Sequence, residues 1–329
     1  EIATSFKGIA YVVVRYQISD KVWKNGRPRF RWKVRGGKWY DPRKDSTVEG
    51  GSGSHRWGQP STYEYTDNAR VCHYNFIRGV WNYAADPPQL MVGPGRSAEE
   101  APPALAIADM NLCDENVALK AGGTEKRYRV SAVVQSGERW IDIEEHFAAA
   151  MAGQLVERGG TIGVDPGAAK SAPYPSFDDG RLLRGSETAY QDKTSRDKLV
   201  NTVVARYVEP ALLWEQNSTP VRRSLADIAE DGEPREQTID LVFVYSGTQA
   251  QRCAEVIRRK SRLQASAVVQ LGPRYMLAED GDWIEWTSAR HFGGETRLFE
   301  VQGIALDNKG NIRLALQQTA ESVFAWNPA

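Results

Sequence analysis

The sequence predicts an α+β protein rich in β-structure, with barrel- or sandwich-like antiparallel domains and a few short helices. Two observations point to strands. Residues 9–18 are dense in β-branched and aromatic types, which fit a pleated, half-buried surface. The end of the chain breaks into short apolar runs near 266–271, 282–287, 297–306, 311–316 and 323–326, spaced by turn residues as in a barrel or sandwich. A third observation sets helices between these groups: apolar residues recur at helical spacing in three windows.

Taken in order, residues 9–18 read as a long strand, and a strict alternation follows. Arg27, Arg29, Arg31, Lys33 and Arg35 occupy one side of a period-two pattern, with Pro28, Phe30, Trp32 and Val34 on the other. Successive strand side chains point to opposite faces, so the pattern predicts one buried and one basic face. That basic face fits solvent, a partner or a lumen. Residues 1–60 hold 13 Lys and Arg against 5 Asp and Glu, a local +8 inside a chain whose totals cancel at 42 and 42. Residues 45–61 and 86–103 read as Gly/Ser- and Pro/Gly-rich loops.

Leu105, Ala108, Leu112 and Cys113 predict a first helix stopped by Gly122 and Gly123, and residues 127–135 a strand. Trp140, Ile143, Phe147 and Met151 predict a second helix closed by Gly153, with a strand over 154–164. The Pro/Gly/Asp-rich stretch 165–186 marks a boundary, giving domains 1–97, 98–186 and 187–329, the last barrel-like with one helix at 248–263. Residues 199–208 and 238–245 read as strands, and 215–236 as polar and irregular. The third helix is expected to start at Thr248, which forms a capping-box pattern with Gln251. Ala250, Cys253, Ala254 and Ile257 are its apolar stripe; Arg252, Arg258, Arg259, Lys260 and Arg262 lie opposite, as a solvated side or a cationic surface for an acidic partner or nucleic acid.

Apolar residues at 41 % and charged residues at 26 % are ordinary for a globular protein. A formal charge of zero leaves no global field drawing the chain to nucleic acid or membrane. Cys72, Cys113 and Cys253 are far apart and odd in number, and read as free thiols. Ten Trp and thirteen Tyr fit either an aromatic core or contact surfaces. His55, His73, His146 and His291 form no metal-binding pair, and neither a nucleophile elbow nor a phosphate loop is present. Glu144-Glu145 and Asp178-Asp179 are the acidic pairs that a cell-wall hydrolase would need in a cleft; helix neighbours one apart do not share a face. The acidic segments 280–282 and 307–311 read as turns. No catalytic residue, cofactor or metal is expected. The chain opens at Glu1, already in a strand pattern, and is expected to be a piece of a longer polypeptide.

Seven short motifs in order resemble the central hub region of lambda-type siphophage tail-tip proteins, the host-specificity or central tail-fibre family, and the related hub proteins of gene transfer agents. They are Phe6-Lys-Gly-Ile-Ala-Tyr11, with Gly8; the basic-apolar segment 28–36; Tyr65-Thr-Asp-Asn-Ala69, with Asp67 and Asn68, which lacks the family's Pro; and Cys113-Asp114 followed by Gly122-Gly-Thr-Glu-Lys-Arg-Tyr128, with Gly123, Thr124 and Glu125. Gly247-Thr-Gln-Ala-Gln-Arg252 contributes Gln249 and Arg252, Gly281-Asp282 precedes Trp283-Ile-Glu-Trp286, and Ala325-Trp-Asn-Pro328 contributes Trp326. The family's Tyr-Gly-x-Gly stretch is missing from 66–104.

The resemblance implies a hub of the contractile-tail baseplate type. Three copies would form a ring that closes the distal end of the tail tube, meets the distal tail protein ring above, holds the C-terminus of the tape-measure protein, touches other tail-tip proteins and lets DNA pass at ejection. Such a protein would be assembled in the bacterial cytoplasm and reside in the virion tail tip, with the host surface contacted through parts outside this chain. A receptor- or carbohydrate-binding module using loops 50–60 and 86–96, or a cell-wall-degrading enzyme, are the competing classes.

Overall fold

A computed structural model describes residues 12–15, 17, 19, 21, 30, 32–135, 137–158, 160–170 and 174–328. It divides into two compact units, Glu1–Gly36 and Gly37–Ala329.

In the first unit, the described residues 12–15, 30 and 32–36 join no strand ladder. The rings of Phe30 and Trp32 stack with centroids 5.8 Å apart, and Phe30, Trp32 and Val34 are all exposed. This corrects the expectation of a strand with one buried face. Lys33 and Arg35 are exposed as well. Gly8, Arg27, Arg29 and Arg31 lie outside the described residues.

The second unit opens with β1 (Lys38–Trp39), β2 (Glu64–Tyr65) and α1 (Ala69–Arg78), then the hairpin of β3 (Val80–Asn82) and β4 (Gln89–Val92). Next come α2 (Pro103–Cys113), the hairpin of β5 (Asn116–Ala118) and β6 (Thr124–Lys126), α3 (Trp140–Ala150) and the hairpin of β7 (Gln154–Arg158) and β8 (Thr161–Asp165). Then follow β9 (Tyr174–Asp178), β10 (Ala189–Gln191), β11 (Thr202–Glu209), β12 (Glu215–Ser218), β13 (Arg222–Arg223), α4 (Leu225–Asp231), β14 (Glu236–Asp240) and α5 (Gly247–Arg262). The order ends with β15 (Ser266–Leu271), β16 (Trp283–Thr287), α6 (Ala289–Phe292), β17 (Thr296–Leu306) and β18 (Ile312–Gln318).

The fold is mixed α+β, as the sequence predicts, and its two larger sheets are open. The six-stranded sheet runs β10-β15-β18-β17-β16-β9, antiparallel except where β9 meets β16. Strict alternation buries Ala267, Val269 and Leu271 on β15 and Ile312, Leu314 and Leu316 on β18 against Phe177, Trp286 and Phe299. The hairpin turn over 307–311 is closed by Asp307, whose carboxylate accepts from Lys309 N and Asn311 N at 2.8 Å each. The second core joins α1, α3 and α5 to β11. There the expected stripe of Ala250, Cys253 and Ala254 is fully buried, with Val203 and Ala205 in the same cluster.

Several local expectations fail for identifiable reasons. Gly122 and Gly123 do not stop a helix; with φ of 87° and 79° they turn the β5–β6 hairpin, where L side chains would be strained. The buried stripe of α2 is Ala106, Met110 and Cys113, and Leu105 is exposed. Residues 127–135 form a single bridge, Asn68 to Arg129, because their backbone groups are taken by α5 and its approach: Arg129 N by the Gln249 side chain and Ser131 N by Phe243 O. Residues 154–164 are a hairpin, and 215–236 hold β12, β13, α4 and the first residue of β14. Strand β14 ends at Asp240, where Val244 N turns back onto Leu241 O, and residues 321–324 form a 3₁₀ turn in place of a last strand.

Candidate functional site

The N-terminus of α5 is where the sequence motifs meet. Its cap is Ser246, not Thr248: the Ser246 hydroxyl accepts from Gln249 N at 3.2 Å. This leaves Thr248 free to donate to Glu125 Oε1 at 2.5 Å, while Ser246 Oγ donates to Glu125 Oε2 at 2.9 Å. Arg252, one turn further on, pairs with the same carboxylate and donates through Nη2 to Arg127 O at 2.7 Å. Burial alone would raise the Glu125 carboxyl, but the Thr248, Arg252 and Ser246 donors hold it below its ordinary range.

Gln249 stitches three backbone groups into the same junction. Its Oε1 accepts from Arg129 N at 3.0 Å, and its Nε2 donates to Arg129 O and to Ala150 O at 2.9 Å each. Asp67 accepts from the Tyr245 hydroxyl at 2.6 Å and faces Arg129 at 3.8 Å. Asn68 caps α1 by accepting from Arg70 N and Val71 N, and its amide donates to Met110 O at 2.9 Å. Trp326 closes the cluster. Its indole N–H donates to Ala118 O at 3.2 Å, and the guanidiniums of Arg222 and Arg252 lie 4.9 and 5.9 Å from its ring centre.

Of the motif residues singled out from sequence, Asp67, Asn68, Glu125, Gln249, Arg252 and Trp326 therefore converge, with Gly123 and Thr124 on the hairpin that carries Glu125. Gly281 and Asp282 sit apart, in the turn before β16, where Gly281 has φ 85° and donates to Val301 O at 2.8 Å. Sequence reasoning missed Ser246, Tyr245, Arg129 and Arg222. For Ser246 the signal was present, since Ser246-x-x-Gln249 is itself a capping-box pattern.

The basic side of α5 is not bare. Arg258 reaches Asp227 at 2.7 Å and Glu255 at 2.8 Å, and Arg259 reaches Glu255 at 2.7 Å. Arg262 meets Asp231 at 2.8 Å and Glu230 at 3.0 Å, and Lys260 lies 3.8 Å from Glu300. Helix α4, called irregular from its polarity, supplies the acids that neutralise this side.

The acidic pairs are also accounted for. Asp178 accepts from Gly180 N, and Asp179 accepts from Trp286 Nε1 and Arg290 N at 3.2 Å each. Burial opposes ionisation of Asp179, yet these donors keep its carboxyl below the ordinary range, which suits a structural cap and not a general acid. Glu144 is buried on α3 while Glu145 is exposed. Among the described residues no cluster of three or more His, Cys, Asp or Glu is arranged to hold a metal, and no helix is long and apolar enough to cross a membrane.

Both carboxylates of the junction, Asp67 and Glu125, are met by donors from within the chain, so the contacts hold these elements together. Residues 141–304 match the family described as "Putative phage tail protein". That segment, just under half of the chain, is what the chain shares with the phage tail proteins. Solved structures to which it is similar include a chain in the virion of a native gene transfer agent particle, at 14 % identity over 62 % of this chain and 43 % of that one, with a TM-score of 0.49. Others are the tail protein from Neisseria meningitidis MC58, at 17 % over 67 % and 64 % with 0.40, and the 43 kDa tail protein of prophage MuSo2 from Shewanella oneidensis, at 12 % over 58 % and 57 % with 0.38. The chain spans less than two thirds of each of these. No curated protein matches it in sequence.

Proposed function

We propose that the chain is a non-catalytic part of a phage or gene-transfer-agent tail tip, a hub subunit that closes the distal end of the tail tube and frames the passage for DNA. Three copies form its ring, and the distal tail protein, the end of the tape-measure protein and other tip proteins are its neighbours. It acts in the virion after assembly in the bacterial cytoplasm. The tail-protein match over residues 141–304 carries this reading. The junction supports it: the residues that resemble the hub motif tie a hairpin, two helix starts and the C-terminal segment together, so the motif maintains shape.

A closed ring of three requires heterologous contacts that bury a different patch on each side of every subunit. Mass measurement of the purified chain at rising concentration, alone and with tail-tube proteins, tests the proposal. A trimer, or a trimer templated by the tube, is expected. A chain that stays monomeric in both conditions and clears purified cell wall contradicts it.

A further inference from the structure

The hairpin of β11 and β12 carries an apolar tip on strained backbone. Pro210–Leu212 form a 3₁₀ turn, and Leu213 and Trp214 then both lie in the left-handed region, at φ 57° and 64°. Bulky residues rarely adopt that conformation, and such outliers gather at functional sites where the surrounding structure enforces them. Here the enforcement is visible. Leu213 N donates to Pro210 O at 3.2 Å, Trp214 N donates to Glu209 O at 3.0 Å, and the Trp214 ring leans on Tyr245 with centroids 6.0 Å apart. Leu212 is still 50 % exposed and Trp214 38 %. The root of the tip is acidic. Glu209 accepts from the Tyr207 hydroxyl and from Ala211 N, has no cationic partner among the described residues, and stands opposite Glu215 in the ladder.

The other end of β11 carries the complement. There β13 pairs Arg223 with Thr202 and Arg222 with Val203. Residues 221–225 alternate outward and inward, as side chains of an extended segment do. Val221, Arg223 and Leu225 are exposed, while Arg222 turns in to lie 4.9 Å from the Trp326 ring centre. Val221 is 50 % exposed and Leu225 70 %. The Arg223 side chain has no hydrogen-bond or ion-pair partner among the described residues. The acids of α4 that follow it are already taken, Asp227 by Arg258 and both Glu230 and Asp231 by Arg262. The seven residue steps from Thr202 to Glu209 span about 23 Å along β11, so one copy cannot bring its own tip to its own basic face.

We propose that the β11–β12 tip of one copy docks on the Val221–Arg223–Leu225 face of a second copy of this chain. Leu212 and Trp214 cover Val221 and Leu225, and Glu209 meets Arg223. Each side offers two apolar side chains and a charge that the other neutralises, and Trp and Arg are residue types that interfaces favour. Because the two sets differ and sit at opposite ends of one strand, the contact is heterologous. It repeats from copy to copy, and closes into a ring where the rotation allows. It rests on the geometry of this sheet and not on the hub reading.

Sedimentation of the full chain across concentration and salt tests the contact. Wild type is expected to self-associate, with affinity falling as salt screens Glu209 and Arg223. Leu212→Ser and Leu225→Ser change the two sides separately and should each weaken association about tenfold, a loss of about 1.4 kcal/mol. Both remove exposed side chains, so their unfolding midpoints should match wild type and the loss does not stem from misfolding. Glu209→Arg and Arg223→Glu should each weaken association as well. The double reversal Glu209→Arg/Arg223→Glu in one chain should restore it, because the swapped charges again face each other between copies. A wild-type chain that stays monomeric, association unchanged in Leu225→Ser, or charge reversals that the double variant does not rescue overturns the proposal. A trimer that assembles unchanged in these variants overturns this contact and leaves the hub reading standing.

Discussion

Glu125 and Arg252, 127 residues apart in sequence, form an ion pair that fastens the β5–β6 hairpin to the first turns of α5. Arg252 is 5 % exposed and Glu125 18 % at the side chain, so water does little to replace a lost partner. Removing one member of such a pair leaves the other buried and uncompensated. Glu125→Ala and Arg252→Ala are each expected to cost about 3–5 kcal/mol in chemical denaturation. The double variant should cost clearly less than the sum, and additive losses in that cycle would show that the two groups act separately.

Gln249 makes a different demand, because all its bonds go to backbone. Gln249→Ala should leave Arg129 N and O and Ala150 O without partners and lower stability by about 1–3 kcal/mol. Amide exchange should show the loss first at Arg129, with the six-stranded sheet still protected.

Acid should loosen the junction and the α4–α5 contact together. Burial works against Glu125 and Asp231, but their donors and the facing arginines leave both carboxyls below their ordinary range in the folded chain. A depressed folded pKa gives stability that is fully present above the unfolded value and lost as pH falls through the folded one. Stability measured from neutral pH downward should therefore fall below the ordinary carboxylate range, and Glu125→Gln should flatten that slope. Glu144 runs the other way. Burial raises its carboxyl, so its contribution is lost as pH rises past that raised value, and Glu144→Gln gains most at neutral and higher pH.

The arginines of α5 should matter to stability and not to nucleic acid. Because Arg258 and Arg262 are already paired with α4, Arg258→Gln and Arg262→Gln should destabilise the chain while leaving its retention on immobilised DNA unchanged. A drop in retention at low salt would mean that these charges face a phosphate backbone.

The three thiols should be silent. Cys113 and Cys253 are fully buried and Cys72 is partly buried, and burial pushes all three up to about 12. Reaction with a thiol reagent is expected only on unfolding; rapid labelling of the native chain would contradict the packing described.

The strands and helices that stand on strong periodicity were legible in the sequence. The alternation of residues 266–271 and 312–316 and the stripe of Ala250, Cys253 and Ala254 each encode their own buried face, and the structure places them as read. What failed depends on distant partners. Residues 127–135 alternate like a strand, yet Gln249, more than a hundred positions away, takes the backbone groups a strand would have used. The α5 arginines looked solvated because the acids of α4 that meet them are invisible to helical spacing. Of the candidate site, the motif residues could be named one by one from resemblance, but their convergence around Glu125 and Trp326 is a tertiary fact. Ser246 was within reach and was displaced by a neighbouring residue with the same capping pattern.

The central claim is a structural hub role at the tail tip, and direct imaging of labelled particles tests it most closely. An antibody or gold label against this chain should mark a single site at the distal end of the tail tube, with three copies per particle. Label along the tube, at the head, or absent from intact particles would contradict the account.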